Sequence, residues 1–247
     1  MIFPKQFFLF LVLLFGIWGC EEEIIPNLDT SKTDINVLFV GNSYTFYNSG
    51  VDFHLQKMLD ADAKNDTSFN YSIQKVAFSS YTLQAHYQDT ITTNKIKNKK
   101  WNMVVLQEQS TRPINNPALF LEYATKLDLE IKKTNAKTVL FMTWAPKETP
   151  NDINTISASY LSVGSQIKAQ VVPTGSVWDA FQKANPQINL YFTDNKHPSL
   201  AGTYLVSCAF YYSLFGKNPT SNLYLPVGLT LQDASAIRKG VYDYLRE

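Results

Sequence analysis

The sequence predicts one α/β domain with a parallel central sheet of about five strands and helices on both faces. Short apolar runs rich in branched residues alternate along the chain with longer segments whose apolar residues recur at helical spacing. Such alternation is typical of a parallel sheet, because a helix usually connects consecutive parallel strands. The 247 residues are 45% apolar, which is enough to form one large buried core.

Five segments have the character of buried strands. The first, Ile35–Val40, is a continuous apolar run that stops at Gly41, which is typical of a strand covered on both faces. The other predicted strands are Phe69–Ala77, Met103–Leu106, Thr138–Trp144 and Gln170–Val172.

Helical patterns separate these strands. Apolar residues recur at helical spacing from Val51 to Leu59. Asn116-Pro117 has the pattern of an N-cap followed by proline at the first helical position. The predicted closing helices are Pro198–Phe215 and Leu231–Leu245.

The first residues are predicted to be a secretion signal outside the domain. Lys5 precedes ten uncharged apolar residues, Phe7–Gly16, a run too short for a membrane-spanning helix. Residues Ile17–Cys20 resemble a bacterial lipobox, which implies that Cys20 is lipidated; an ordinary signal peptide with a chance cysteine is the alternative. The predicted organisation is a lipoprotein signal peptide over residues 1–19, an acidic and polar linker over 20–33 and one domain over 34–247.

The lipobox resemblance implies a protein held in the cell envelope by a lipid on Cys20, with the outer membrane as the expected location. Glu21, Glu22 and Glu23 follow directly. This run is similar to the acidic export signal of surface lipoproteins in some Gram-negative bacteria, which implies surface exposure. The alternative role of the three carboxylates is the solvated start of a tether.

Composition argues against two classes of function. The 22 basic and 21 acidic side chains nearly balance, whereas nucleic-acid binding needs a concentrated excess of Lys and Arg. Three His and two Cys, with neither CxxC nor HExxH spacing, leave little material for a zinc site. We therefore expect no metal, no cofactor and no nucleic-acid partner.

Ser43 is the candidate nucleophile. Gly41-Asn42-Ser43 places its hydroxyl at a strand-to-helix turn, on the carboxyl edge of the sheet where chemistry gathers in α/β folds. A nucleophilic serine also needs a base. Considered alone, a serine that caps the following helix is the alternative interpretation.

A candidate base lies near the other end of the chain. Asp194-Asn195-Lys196-His197 places a carboxylate three residues before a histidine, at the entry to a helix. A carboxylate in that turn accepts the Nδ1 proton and leaves Nε2 to take the proton of a serine hydroxyl. The alternative is a helix-capping Asp194 beside a surface His197.

Together the two motifs resemble the SGNH (GDSL-like) hydrolases. Gly41-Asn42-Ser43 matches the first block of that family, and Asp194–Ser199 matches the last. The resemblance extends from about Ile35 to Pro219. It implies a flavodoxin-like three-layer sandwich and metal-independent ester hydrolysis through an acyl-enzyme. The implied catalytic triad is Ser43, His197 and Asp194.

The middle blocks depart from the family pattern. In the family, a glycine and an asparagine complete the oxyanion hole beside the N–H of the serine. Ser80 stands at the glycine position and Gln109 at the asparagine position, which implies a hole formed by Ser43, Ser80 and Gln109. The backbone N–H of Ser80 is expected to donate if its conformation does not demand positive φ. Glu108 is expected to be solvated or hydrogen-bonded in its loop.

Several side chains are candidates for substrate binding. Tyr44, Tyr81 and Trp144 adjoin predicted strand ends and form a candidate platform for a sugar ring, with plain core packing as the alternative. His86 is a candidate pocket residue. The expected substrate is a small acyl ester, acetyl above all, on a carbohydrate, because a surface lipoprotein with such a cleft and no metal suggests removal of acetyl groups from glycans. Lipid esters are less favoured, because the sequence shows no long apolar lid segment. The alternative function is a glycan-binding surface lipoprotein that kept the fold but lost turnover.

The predicted anchor is testable by substitution. Cys20→Ala should release the protein from the membrane fraction, because no segment after residue 20 is long and apolar enough to span a bilayer. Cell fractionation with immunoblotting measures the release. Cys208→Ala, which removes the other cysteine, is the matched control and should stay anchored. Membrane attachment of Cys20→Ala would show that the lipid is not on that residue.

Overall fold

The computed structural model describes residue 1, residues 32–62 and residues 68–247. Cys20 and most of the predicted signal peptide and linker lie outside the described residues. Across the described ranges, no helix has both the length and the hydropathy of a membrane-spanning segment.

Five parallel strands form the central sheet, as the sequence predicts. They are β1 (Thr33–Gly41), β2 (Phe69–Ala77), β3 (Met103–Leu106), β4 (Lys137–Phe141) and β5 (Gln170–Val172). Their order across the sheet is β2-β1-β3-β4-β5, which is the order of flavodoxin-like doubly wound sheets.

Helices connect these strands and cover the sheet. The α-helices of the described ranges are α1 (Ser43–Phe46), α2 (Val51–Asp62), α3 (Leu83–Gln88), α4 (Thr90–Lys97), α5 (Arg112–Asn115), α6 (Pro117–Lys132), α7 (Asp152–Ile167), α8 (Thr174–Ala184), α9 (Leu200–Phe215) and α10 (Leu231–Leu245). A 3-10 helix spans Pro219–Ser221.

The side chains of β1 divide the apolar core in two. Val37 and Phe39 belong to a cluster with α2, α8, α9 and α10, whereas Leu38 and Val40 belong to a cluster with α3, α4, α6 and α7. Successive side chains of a strand point to opposite faces, so a strand that is apolar at every position is buried on both sides. The three-layer α/β architecture follows from this pattern.

The register of β1 brings three loops to one edge of the sheet. Gly41 pairs with Ala77 of β2, and Val40 pairs with Leu106 of β3. Because these strands are parallel, the loops that follow them start side by side. The three loops carry Ser43, Ser80 and Gln109.

Some element boundaries differ from the predicted ones. β1 begins at Thr33, one residue before the predicted start of the domain. β4 ends at Phe141, although the apolar run continues to Trp144, because the carbonyl of Met142 accepts the N–H of Gly175 in the first turn of α8 at 3.1 Å. The sequence does not predict α7, whose exposed face carries Ser and Asn, residues of modest helix propensity.

Candidate active site

A tight turn after β1 presents Ser43. Asn42 caps α1, since its side chain accepts the N–H of Tyr44 at 3.2 Å and its Nδ2 donates to the carbonyl of Tyr81 at 2.9 Å. A Cβ on Gly41 would lie only 2.3 Å from Thr45 Oγ1, so the turn requires glycine there. Ser43 itself remains partly exposed at the start of α1.

Gln107 holds this turn from the neighbouring strand. Its buried Oε1 accepts the N–H of Asn42 at 2.9 Å and the hydroxyl of Thr45 at 3.0 Å, while its Nε2 donates to the carbonyl of Glu108 at 2.6 Å. Both ends of the amide are therefore used, and the position of the Ser43 turn is tied to β3. The sequence gives only a weak signal for this role of Gln107, because all it shows is a polar side chain directly after a buried strand.

His197 reaches Ser43 although 154 positions separate them along the chain. Its Nε2 lies 2.8 Å from Ser43 Oγ, and its Nδ1 hydrogen-bonds to Asp194 Oδ2. An ionised carboxylate only accepts, so Nδ1 carries the proton and Nε2 is free to accept the serine hydroxyl. The structure therefore brings the three residues of the predicted triad together.

Asp194 is held in its turn by backbone donors. Its Oδ1 accepts the N–H of Lys196 at 3.1 Å and that of His197 at 2.9 Å. Desolvation acts to raise the pKa of Asp194, but the hydrogen bonds from the His197 side chain and from these backbone groups outweigh it and lower the pKa to about 2. The group is therefore ionised at neutral pH.

Aromatic rings fix the orientation of the His197 imidazole. Tyr47 stacks on it at 4.3 Å between ring centroids, with an interplanar angle of 8°. Tyr44 contacts it edge-on at 5.6 Å. Tyr47 also contacts the ring of Phe192, at 5.9 Å between centroids, and Phe192 is 46% exposed. Neither Tyr47 nor Phe192 is predicted from the sequence, although both are aromatic residues within five positions of a triad member.

Asn48 connects the end of α1 to the catalytic histidine loop. Its Nδ2 donates to the carbonyl of Pro198 and to Thr203 Oγ1, both at 2.9 Å. Its own carbonyl accepts from His54 Nε2 at 2.8 Å. These bonds tie the residue after His197 to the segment that follows Ser43.

Ser80 adopts the conformation that glycine usually supplies. Its φ is +62°, and the N–H of Tyr81 donates to the carbonyl of Phe78 at 3.2 Å, a pattern typical of a type II turn with Ser80 at its third position. The condition that Ser80 avoids positive φ is therefore not met. Ser80 occupies the left-handed conformation itself, at a cost of about 1–2 kcal/mol, and its backbone N–H is still able to donate. Within the described part of the chain, no acceptor takes the N–H of Ser80 or that of Ser43.

Gln109 uses its side-chain oxygen for structure and leaves its nitrogen available. Oε1 accepts the N–H and the hydroxyl of Thr111, both at 2.9 Å, and the N–H of Arg112 at 3.1 Å. Nε2 makes only a long contact of 3.5 Å with Ser110 Oγ. The oxygen thus fixes which way the amide faces, and Gln109 is one of the residues that line the cleft.

Ser43, His197 and the predicted oxyanion residues meet at a cleft of about 140 Å³. This volume is small beside the roughly 300–1,000 Å³ of pockets that hold drug-sized ligands. The cleft is lined by Asn42, Ser43, Tyr44, Ser80, Gln109, Ser110, Lys196 and His197.

The predicted aromatic platform is wrong for Trp144. This side chain is 1% exposed, stacks between Tyr44 and Trp178 and donates from Nε1 to the carbonyl of Lys196 at 3.0 Å. Tyr44 borders the cleft but is only 4% exposed, so its ring faces are used in packing. Tyr81 lies outside the cleft lining and packs its ring on Phe78 and His86.

His86 is not a pocket residue in this structure, contrary to the prediction. It has no exposed surface; its Nε2 donates to the carbonyl of Gly41 at 2.8 Å and its Nδ1 lies 2.9 Å from Thr92 Oγ1. Burial lowers the pKa of His86 to about 4, against the raising effects of the Gly41 carbonyl and of Asp89, so the ring is neutral at pH 7. Its hydrogen bond to the Gly41 carbonyl holds the last residue of β1 in place.

Within the described ranges, no group of three or more His, Cys, Asp or Glu side chains is placed to hold a metal ion.

Solved structures share this fold. A DUF4886 family protein from Bacteroides uniformis superposes with a TM-score of 0.70 at 15% identity, over 86% of this chain and 95% of that one. A putative SGNH hydrolase from Slackia heliotrinireducens gives 0.63 at 20% identity, over 74% and 100%. The acetyl xylan esterase AlAXEase gives 0.61 at 17% identity, over 73% and 100%.

No protein-family model and no curated protein matches the sequence. The likeness is therefore one of fold: the chain has the α/β architecture seen in SGNH-type hydrolase structures.

Proposed function

We propose that this chain is a serine esterase that removes a small acyl group, acetyl above all, from a carbohydrate through an acyl-enzyme on Ser43. The observation that carries the proposal is the 2.8 Å contact between Ser43 Oγ and His197 Nε2, with Asp194 on the opposite ring nitrogen. A serine that only capped a helix would need neither partner. The esterases among the similar structures support the same reaction class.

The reaction begins when Ser43 Oγ attacks the ester carbonyl while its proton passes to His197 Nε2. The carbonyl oxygen becomes an oxyanion that accepts from the N–H groups of Ser43 and Ser80 and from Gln109 Nε2. Collapse breaks the bond to the alcohol, which leaves with the proton from His197. Water then attacks the acyl-enzyme, again with His197 as base, and releases the acid and Ser43. Asp194 stabilises the imidazolium in both halves.

The shape of the cleft supports a small acyl group on a larger alcohol. A volume of about 140 Å³ suits a group of a few heavy atoms better than a fatty acyl chain. The exposed ring of Phe192 packs on Tyr47, which stacks on His197, and we assign Phe192 to the binding of the sugar that carries the acyl group. Aromatic rings with one apolar face open are suited to stacking against a sugar.

The proposed cellular setting comes from the sequence. A lipid on Cys20 would hold the domain at the outer membrane, where acylated glycans are accessible substrates. The proposal needs no metal or cofactor, because the triad and the oxyanion donors supply the whole reaction.

The nucleophile is tested by covalent labelling. A fluorophosphonate should form an adduct on Ser43 in the full-length protein purified in detergent, and the labelling rate should collapse in His197→Ala because the base is lost. Peptide mass spectrometry identifies the labelled residue. Ser79→Ala, which removes an exposed serine hydroxyl of the Ser80 turn and leaves the backbone N–H groups in place, is the control and should label normally.

Two outcomes of that experiment would redirect the proposal. Labelling of Ser80 or Ser110 instead of Ser43 would overturn the assignment of the nucleophile. Binding of an acetylated glycan without any labelling or turnover would favour the alternative, a glycan-binding protein of the same fold.

Gln109 is tested with an isosteric variant. Gln109→Glu keeps the oxygen that caps Thr111 and Arg112 but replaces the Nε2 donor with a second acceptor. Loss of one oxyanion donor typically lowers kcat about 10²–10³-fold, or roughly 3–4 kcal/mol, and the added charge should make the loss at least that large. KM for p-nitrophenyl acetate should stay nearly constant, because the interaction exists only in the transition state.

Gln109→Ala provides the comparison. It should lower kcat by a similar factor but also lower the unfolding midpoint, because it removes the cap on the Thr111 turn. A kcat within about twofold of wild type in both variants would show that Gln109 is not an oxyanion donor.

The sugar contact is tested at Phe192. Phe192→Ala should raise KM for an O-acetylated oligosaccharide about two- to tenfold, the worth of one aromatic contact, and leave KM for p-nitrophenyl acetate unchanged. Phe69→Ala is the matched control. It removes another exposed phenylalanine, at the amino end of β2 and so at the end of the sheet away from the cleft, and it should leave both KM values unchanged. Equal KM values for wild type and Phe192→Ala would remove Phe192 from the substrate site.

A further inference from the structure

Glu108 is a buried carboxyl group that the proposed mechanism does not use. Its side chain has no exposed surface, and it lies between the supporting residue Gln107 and the oxyanion residue Gln109. Its Oε2 has no hydrogen-bond partner among the described residues. Charged side chains are almost never fully buried unless they are paired, because an unsatisfied buried polar group costs free energy. A chain that keeps such a group calls for an explanation in terms of function.

The other carboxyl oxygen joins the two loops that carry oxyanion donors. Oε1 accepts the backbone N–H of Gln109 at 2.6 Å and that of Leu83 at 3.1 Å. Leu83 opens α3, three residues after Ser80, whereas Gln109 belongs to the loop after β3. One atom therefore bridges the second and third blocks of the site.

We infer, on the basis of the proposed function, that Glu108 is a positioning residue. Its carboxylate holds the Ser80 turn and the backbone of Gln109 at a fixed spacing, and so sets the distance between the Ser80 N–H and the Gln109 side-chain amide in the oxyanion hole. Glu108 does not line the cleft, so it acts only through these two loops. The effect is large in principle, because a misplacement near 1 Å at a catalytic group costs about a hundredfold in rate.

The charge on Glu108 controls the strength of this bridge. A carboxylate accepts hydrogen bonds more strongly than a neutral acid does. Among the described residues, two titratable groups face Glu108: the Arg112 guanidinium of α5 and the Tyr160 phenol of α7. The phenol oxygen accepts the Glu108 N–H at 3.2 Å. From α3, in the same part of the chain, only the backbone N–H of Leu83 faces the carboxyl group. Burial raises the pKa of Glu108 to about 7, against the lowering effects of the backbone N–H groups and Arg112. The bridge is therefore tightest above about pH 7.

The first arm of the test compares pH profiles for turnover of p-nitrophenyl acetate by the full-length protein. Glu108→Gln keeps an acceptor oxygen on an arm of equal length but cannot ionise. The ratio of kcat at pH 8 to kcat at pH 6 should be roughly three- to tenfold larger for wild type than for the variant, and KM should be equal in both. Since both proteins keep His197, the difference between the profiles belongs to Glu108.

The second arm keeps the charge and changes the reach. Glu108→Asp withdraws the carboxylate by one methylene and should lower kcat at pH 8 by at least about tenfold with KM unchanged. Asp128→Asn is the matched control. Asp128 on α6 is also a buried carboxylate with one unpartnered oxygen, but it lies beside the entry ends of β3 and β4, at the edge of the sheet opposite the cleft, so kcat should stay within twofold.

Thermal unfolding supplies a readout that does not need activity. A carboxyl whose pKa is raised on folding binds its proton more tightly in the folded chain, so stability is lost as the pH rises from about 4.5 through about 7. The unfolding midpoint of wild type should therefore fall over this range relative to that of Glu108→Gln. If Glu108→Gln does not fold, Glu108→Asp carries the comparison of kcat with KM.

The outcomes separate two kinds of failure. Coincident pH profiles for wild type and Glu108→Gln, or a kcat for Glu108→Asp within twofold of wild type, in a protein that turns over would overturn the role of Glu108 and leave the esterase intact. Absence of turnover and of Ser43 labelling in wild type would instead overturn the proposed function, on which this role depends.

Discussion

Parallel pairing of β1 with β2 and β3 determines where the polar groups of the cleft lie. Because Gly41 is level with Ala77 and Val40 with Leu106, the three following loops leave the sheet side by side. Each loop then contributes a different kind of group: a hydroxyl, a backbone N–H or a side-chain amide. The histidine loop before α9 closes the remaining side. A shift of one strand by a single residue would reverse its faces and separate these groups.

Buried polar side chains convert this approximate arrangement into fixed distances. Gln107 ties the serine turn to β3, Asn48 ties the end of α1 to Pro198, and Glu108 ties two further loops together. Each satisfies backbone groups that would otherwise be unpaired inside the protein. The loops at this edge therefore form one hydrogen-bonded unit, although they come from positions far apart in the chain.

Local patterns predict the sheet and the Asp194–His197 pair, whereas the pairing of His197 with Ser43, 154 positions away, is implied by the resemblance to the SGNH hydrolases. Continuous apolar runs identify the strands, and the three-residue spacing of Asp194 and His197 places a carboxylate behind an imidazole. The failures involve long-range packing. A position next to a strand end does not reveal that Trp144 stacks between two other rings, nor that His86 has no exposed surface. Gln107 bonds to Asn42 and Thr45, which lie 65 and 62 positions away in the chain, and no local pattern encodes these pairings.

The left-handed backbone at Ser80 affects the free energy of unfolding through both the folded and the unfolded state. A non-glycine residue in this region costs about 1–2 kcal/mol in the folded state. Glycine would avoid that cost, but its greater conformational freedom when unfolded lowers the free energy of unfolding by about 0.4–1 kcal/mol. Much of the strain is therefore offset by the lower entropy of the unfolded loop. Serine can occupy this turn with only a small net loss of stability.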